Sequence, residues 1–289
     1  MDHRHSGLRI GVDGGGSGCR AAIADACGVV LGQGRSGPAN ATTDITRAIT
    51  HMLEAIAAAA ADAGVSRDAL RKARACIGLA GVKDSQTASR ITNACDFAAV
   101  QVIEDRETAL AGALGARDGV LIALGTGTII AGRKDGRIIH LNGWGLAVGD
   151  QASGAWLGRG LLERVMLCHD GLMEWSALTR AASERFGGTP ERIAMRAACA
   201  DPAAFADLAP MIGTSDDVHA VALMQAGAAY LTQALAFLAP RAGDIVCLTG
   251  GVGPSYAPCL PNDVQALLAP PQGTALEGAL ALAARLAPA

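Results

Sequence analysis

Aromatic side chains are scarce in this chain: three Trp, two Tyr and four Phe among 289 residues. The core must therefore be built from aliphatic and small side chains, which the 51% hydrophobic content and 37 glycines supply. Charge is also sparse, at 18%, and neither sign dominates, with 24 Lys and Arg against 27 Asp and Glu. This excludes a highly charged coiled coil and a low-hydrophobicity disordered chain. The basic footprint of a nucleic-acid binder is missing. No two of the eight cysteines form C-x-x-C, and most lie in Ala- and Leu-rich runs, so they read as reduced, buried thiols. The six histidines contain no H-E-x-x-H pattern, and only His3 and His5 are close together, which leaves a zinc site without support. Met1 to His5 show no apolar segment of a signal peptide. No run is read as reaching the roughly 18 uncharged apolar residues of a membrane span. The expectation is a cytoplasmic protein with no membrane or nucleic-acid partner. A homodimer is compatible with the sequence.

A strand–turn–strand pattern is present, and it occurs twice. Leu8 to Val12 reads as a strand, Asp13 to Gly18 as a glycine-rich turn, and Arg20 to Ala24 as the returning strand. A short third strand, Val29 to Leu31, precedes a helix from about Thr43 to Ala63, with Ile45, Ile49, Met52, Leu53 and Ile56 on one face and Gly64 as its stop. Ala75 to Gly81 is a buried strand, Ser85 to Asp96 a helix, and Val100 to Ile103 a strand that delivers Glu104 and Asp105. The pattern restarts with a strand at Val120 to Leu124, the turn Gly125-Thr126-Gly127-Thr128, a strand at Ile129 to Ala131 and another at Ile138 to Leu141. Helices follow at about Ala152–Leu167, Trp175–Phe186 and Val218–Leu238, then a strand at Asp244 to Leu248 closed by Thr249-Gly250-Gly251, and a terminal helix from Thr274 to Leu286. The echo predicts an α/β chain of two similar lobes with a cleft between them. Residues 1–112 would form the N-terminal lobe and 113–289 the C-terminal lobe.

Glycine-rich turns let backbone amides converge on an anion. The pair at Gly14-Gly15-Gly16-Ser17 and Gly125-Thr126-Gly127-Thr128, with Gly250-Gly251 after a buried strand, points to the phosphates of a nucleotide. Two other nucleotide motifs do not apply. No G-x-x-x-x-G-K-[ST] exists. The G-x-G-x-x-G at Gly32 to Gly37 is followed by Pro38 rather than by a helix start, so it is not read as a dinucleotide site. Asp13 beside phosphates calls for a cation, and Mg²⁺ held through water suits it, whereas a carboxylate that merely caps its own turn is the plainer alternative. Asp105 at a strand end is either a helix N-cap or the base that accepts a proton from an attacking hydroxyl. Gly143-Trp144-Gly145 and Asp150 suit polyol recognition, although Asp150 to Gly154 also reads as a helix cap. Asn40 is a further polar candidate, or simply a turn residue.

Together these residues resemble the BadF/BadG/BcrA/BcrD ATPase family of the actin-like sugar-kinase superfamily, in its glucosamine and N-acetylglucosamine kinase branch. The resemblance is carried by Gly11 to Ser17, Ser36 to Asn40, Gly78 to Gly81, Gly125 to Thr128, Asp150 to Ala155, Gly250-Gly251 and Glu277 to Leu280. It implies two RNase H-like lobes, with helix 274–287 packing back on the first. It implies ATP and Mg²⁺, with Asp13 and Gly14 to Ser17 as the first phosphate loop, Gly125 to Thr128 as the second, and Gly250 and Gly251 under the adenosine. It further implies Asp105 as catalytic base, and Asn40, Gly143, Trp144, Gly145 and Asp150 as sugar contacts. Arg106-Glu107 after Asp105 departs from the small residues usual there, and Gln151 and Ile129 lean towards glucosamine over N-acetylglucosamine. Glu104 or Glu107 could favour a cationic amino sugar. The wider family also contains iron–sulfur activator ATPases, but no cysteine pairing here suits a cluster.

Overall fold

The computed structural model describes residues 7–287; His3 and His5 lie outside the described residues. The chain divides into two compact units, one running to Ala116 and resuming at Pro271, the other Arg117–Pro270.

The first unit contains β1 (Arg9–Gly14), β2 (Cys19–Ala24), β3 (Val30–Ser36), α1 (Ile45–Ala63), α2 (Arg67–Leu70), β4 (Arg74–Leu79), α3 (Ser85–Asn93), β5 (Ala99–Glu104) and α4 (Asp105–Leu114). Its sheet has the order β3-β2-β1-β4-β5. The hairpins β1–β2 and β2–β3 are antiparallel, and β4 and β5 join in parallel. α1 starts on an Asp44 cap and ends on Gly64 in the left-handed conformation. Its buried face is Ala48, Met52, Ala55, Ile56, Ala59 and Ala60, while Leu53 is exposed. Of the larger apolar residues expected on this face, Met52 and Ile56 are buried and Ile45 and Ile49 pack against the core, but Leu53 does not, and the face is completed by alanines. The reason lies in β3, which extends through the G-x-G-x-x-G segment. A Cβ on Gly34 would stand 2.1 Å from the Ala55 carbonyl oxygen, and one on Gly32 would stand 2.4 Å from the Ala63 nitrogen. The strand and helix meet backbone to backbone, and only alanines fit the seam. These glycines therefore serve packing.

The second unit contains β6 (Gly119–Leu124), β7 (Thr128–Lys134), β8 (Arg137–Leu141), α5 (Gly154–His169), α6 (Ala177–Phe186), α7 (Pro190–Cys199), α8 (Pro202–Ala206), α9 (Val218–Leu238), β9 (Ile245–Thr249) and α10 (Asn262–Gln265). Its sheet order, β8-β7-β6-β9, repeats β3-β2-β1-β4 with the same antiparallel hairpins and one parallel partner. Among the described residues no strand corresponds to β5. The sequence reading omits α7 and α8, although each begins with a capping residue followed by Pro at the first helical position, Thr189-Pro190 and Asp201-Pro202.

α9 corrects a second expectation. Its 21 residues carry no Asp, Glu, Lys or Arg, so it is long and apolar enough by length and composition to cross a bilayer. Here Ala220, Leu223, Met224, Leu231 and Leu235 of α9 join the core cluster with residues of α5 and α6.

The chain then returns to the first unit as α11 (Ala275–Ala283), opened by a Thr274–Glu277 capping box. α11 packs on α4 and β1. Added Cβ atoms on Gly278 and Gly112 would lie about 2 Å from the backbone of α4 and of Thr274, at 2.1 and 1.9 Å.

Candidate functional site

In the first unit, three backbone links gather the candidate loops. Ala80 N donates to Gly14 O at 2.8 Å, Ala39 N to Gly15 O at 2.8 Å, and Ala41 N to Ala80 O at 2.8 Å. The glycine turn, the Asn40 loop and the Ala80-Gly81 corner are thereby one assembly. Gly15 and Gly16 face open space, while Gly14 is packed against Leu79, Ala39 and Cys19. The Asn40 side-chain oxygen accepts from Thr42 N at 2.9 Å, which makes it a turn-forming residue. A cavity of about 450 Å³ adjoins the turn, lined by Asp13, Gly15, Ser17, Gly18, Cys19, Arg20, Arg35 and Ser36. Asp13 is mostly buried and ion-paired to Arg20, so it does not simply cap its own turn.

Asp105 is the first residue of α4, and Glu104 is the N-cap, with no capping hydrogen bond from its side chain. The plainer cap reading of Asp105 therefore fails. Burial pushes the Asp105 carboxyl up to about 6, the negative charges of Glu104 and Asp13 push the same way, and the Arg106 amide and the Lys83 ammonium oppose them. Glu104 is buried, with one carboxylate oxygen on Lys83 and the other on Arg106. Both of its carboxylate oxygens therefore already face a cation. Glu107 is half-buried, and burial followed by the Glu104 charge holds its carboxyl above the usual range.

The second unit builds its candidate site on one amide side chain. Asn142 Oδ1 accepts from Gly143 N and Asp150 N, both at 2.8 Å. Asn142 Nδ2 donates to Gln151 Oε1 at 3.0 Å and to the Tyr230 hydroxyl at 2.8 Å. Asn142, Asp150 and Ala152 all have positive φ, at 63°, 57° and 67°, and all three are buried. Non-glycine residues hold that conformation only where their surroundings enforce it. The Gly125–Thr128 turn is tied to the same structure. Thr128 Oγ1 donates to Gln151 O at 2.7 Å, and Gly154 N at the start of α5 donates to Gly125 O at 2.8 Å. Gly127 is so close to Asp150 that a Cβ would sit 3.0 Å from its carboxylate, while Gly125 and Gly251 face open space. Gly250, at φ +82°, lies on the backbone of Leu124. The helix cap here is Ser153, so Asp150 is released from that role. Trp144, between two glycines, is 73% exposed.

The structure thus groups Asp13, Gly14 to Ser17, Asn40 and Asp105 in one unit, and Gly125 to Thr128, Gly143 to Gly145, Asp150, Gly250 and Gly251 in the other. Sequence reasoning missed Asn142, whose only signal was its place directly before Gly143. It also missed Lys83, Arg20 and Arg35, because lone basic residues beside strands carry no motif. Among the described residues no group of three or more His, Cys, Asp and Glu side chains is arranged to hold a metal. Asp13 offers one carboxylate, which fits Mg²⁺ held through water and phosphate oxygens, and does not fit a cation bound by protein alone.

A sequence model described as the BadF/BadG/BcrA/BcrD ATPase family matches residues 10–261. The chain is 28% identical over 280 residues to the glucosamine kinase GspK of Vibrio cholerae, covering 96% of this chain and 95% of that protein. It is 32% identical over 155 residues to an N-acetylmuramic acid/N-acetylglucosamine kinase of Clostridium acetobutylicum, covering 52% and 50% of the two chains. A crystal structure of a Chromobacterium violaceum protein, provisionally named an N-acetylglucosamine kinase, superposes with a TM-score of 0.89 at 32% identity, covering 97% of this chain and 100% of that one.

Proposed function

The chain belongs to the BadF/BadG/BcrA/BcrD ATPase family, and on that premise we propose that it is an amino-sugar kinase that transfers the γ-phosphate of ATP to the 6-hydroxyl of glucosamine. The observation that carries the reading is Asp105. It is a carboxylate held at a strand end, largely out of water, with its proton affinity raised to about 6. That suits a group that accepts a hydroxyl proton near neutral pH.

In this reaction the 6-oxygen of the sugar attacks the γ-phosphorus, its proton passes to a carboxylate oxygen of Asp105, and the bond from the γ-phosphorus to the bridging oxygen breaks to release ADP. Little covalent work falls to the protein, so rate comes from positioning and charge stabilisation. Backbone amides of the Gly14–Ser17 and Gly125–Thr128 turns hold the phosphates, other than those of Gly15 and Gly125, which bond within their own turns; Gly250 and Gly251 lie under the adenosine, with Gly251 facing open space. Asp13 would hold Mg²⁺ through water, and that ion supplies neutralising charge to the phosphates. Gly143, Trp144, Gly145, Asp150 and Asn40 contact the sugar, with Asp150 accepting hydrogen bonds from its hydroxyls.

N-acetylglucosamine is the second reading, favoured by the name given to the Chromobacterium violaceum relative. Two residues bear on the choice. Gln151 spends its side-chain oxygen on Asn142, so it stiffens the sugar loop. Glu107 is the carboxylate better placed to favour a protonated amine, since Glu104 is already paired with Lys83 and Arg106. Glu107→Gln should lower kcat/KM for glucosamine several-fold while leaving N-acetylglucosamine unaffected; an unchanged glucosamine value excludes Glu107 from that role. The proposed acceptor atom is tested by ³¹P and ¹³C NMR of the product. Phosphorus coupling to carbon 6 is expected, and coupling to carbon 1 would overturn the assignment.

A further inference from the structure

Arg20 and Arg35 stand directly opposite each other on β2 and β3, and both line the cavity beside the first glycine turn. Like charges facing each other across strands repel, so such a pair persists only where something offsets it. Asp13 offsets Arg20. Arg35 is exposed and makes no hydrogen bond or ion pair among the described residues. Glu54 does not line the cavity, and it accepts the Ser36 hydroxyl at 2.6 Å. The cavity therefore carries two guanidinium groups against one carboxylate. It is also lined by the open Gly15 and by Ser17, with the open Gly16 between them in the turn. The Gly15 amide is spent on Gly18 O at 2.9 Å, whereas the Gly16 and Ser17 amides donate to no group of the described chain.

We propose that Arg20 and Arg35, with the Gly16 and Ser17 amides, form an oxyanion subsite that takes a terminal phosphoryl group. The guanidinium fork matches the spacing of phosphate oxygens and delivers two parallel hydrogen bonds where an ammonium delivers one. Two loose amides at the tip of a tight turn complete a concave donor set. An anion there relieves the repulsion between the arginines and gives Arg35 the partner it lacks. The phosphoryl group has two chemical sources: the terminal phosphate of a nucleoside triphosphate, or the phosphate of a sugar 6-phosphate. The identity of that source rests on the kinase reading; the anion chemistry does not.

The test is calorimetric titration of the full chain with four ligands, without turnover: tripolyphosphate, inorganic phosphate, a non-hydrolysable ATP analogue and glucosamine 6-phosphate. Arg35→Gln changes an exposed side chain and should leave folding intact. It should weaken tripolyphosphate binding about tenfold, the loss of one charge-assisted contact. Arg35→Lys should recover part of that loss, because the charge returns without the fork. Arg67→Gln, at an exposed position on α2, controls for net charge and should leave all four affinities unchanged. A larger loss for the ATP analogue than for glucosamine 6-phosphate assigns the subsite to the nucleotide, and the reverse assigns it to the phosphosugar. The proposal is overturned if Arg35→Gln behaves like Arg67→Gln, or if the wild-type chain binds none of the four. Its failure is separable from that of the kinase reading, which would show as ADP release indifferent to sugar with Arg35-dependent anion binding intact.

Discussion

Asp105 carries its charge where charge is costly. Its folded-state proton affinity lies above the unfolded one, about 6 against 3.8. The folded chain therefore binds the proton more tightly, and the stabilisation that this provides below about pH 4 is lost as pH rises through about 6. Two outcomes follow from the same shift. As a base, Asp105 must be ionised, so kcat/KM should fall as pH drops below about 6 and level off above it, which a pH–rate profile measures. Asp105→Asn removes the buried charge, so at pH 7.5 it should raise Tm by a few degrees, lower transfer by about a thousandfold, and leave nucleotide affinity nearly unchanged. Near-wild-type turnover in that variant would refute the role of base. Asn142 is the corresponding residue of the second unit, because its one amide serves four groups. Asn142→Ala should cost about 2–3 kcal/mol in thermal unfolding, as the Asp150 and Gly143 amides lose their acceptor, and it should raise the sugar KM.

At the scale of elements, glycine seams decide how closely helices approach sheets. Gly34→Ala must push α1 from β3, and Gly278→Ala must push α11 from α4. Each should destabilise the chain by about 1–3 kcal/mol in denaturant unfolding, with the larger part at positions where the Cβ meets backbone. The seams also mark where sequence reading succeeds and fails. Turn chemistry was legible: both glycine turns and the strand that ends at Glu104 were found because glycine clusters and polar residues interrupt apolar runs, and the Gly64 stop because its left-handed conformation favours glycine. The face of α1 was legible in part: Met52 and Ile56 are buried and Ile45 and Ile49 pack against the same core, but Leu53 is exposed, and Ala48, Ala55, Ala59 and Ala60, which complete the face, carry too little hydrophobicity to register in a periodicity count. α7 and α8 were missed although their Thr189-Pro190 and Asp201-Pro202 starts were visible. The extent of β3 was hidden by its glycines, which disfavour strands in isolation and are kept here for the helix they admit.

At the scale of the whole molecule, one sheet plan is used twice. β1 and β6 are each flanked by an antiparallel hairpin on one side and a parallel strand on the other. The echo was readable because the plan puts a glycine turn at the same point in both copies. Of the charged groups around the candidate base, Glu104 and Arg106 were legible as its sequence neighbours, but Lys83, which reaches Glu104 from 21 residues away, was not. The uncharged α9 shows the limit of composition, since apolar length alone does not separate a core helix from a membrane span. The central claim is that this fold transfers phosphate to an amino sugar. The most direct measurement is MgATP-dependent ADP release by the purified chain with glucosamine, N-acetylglucosamine, glucose or no sugar. The account predicts strong stimulation by glucosamine, weaker stimulation by N-acetylglucosamine and little by glucose. ADP release at the same rate under all four conditions would contradict it.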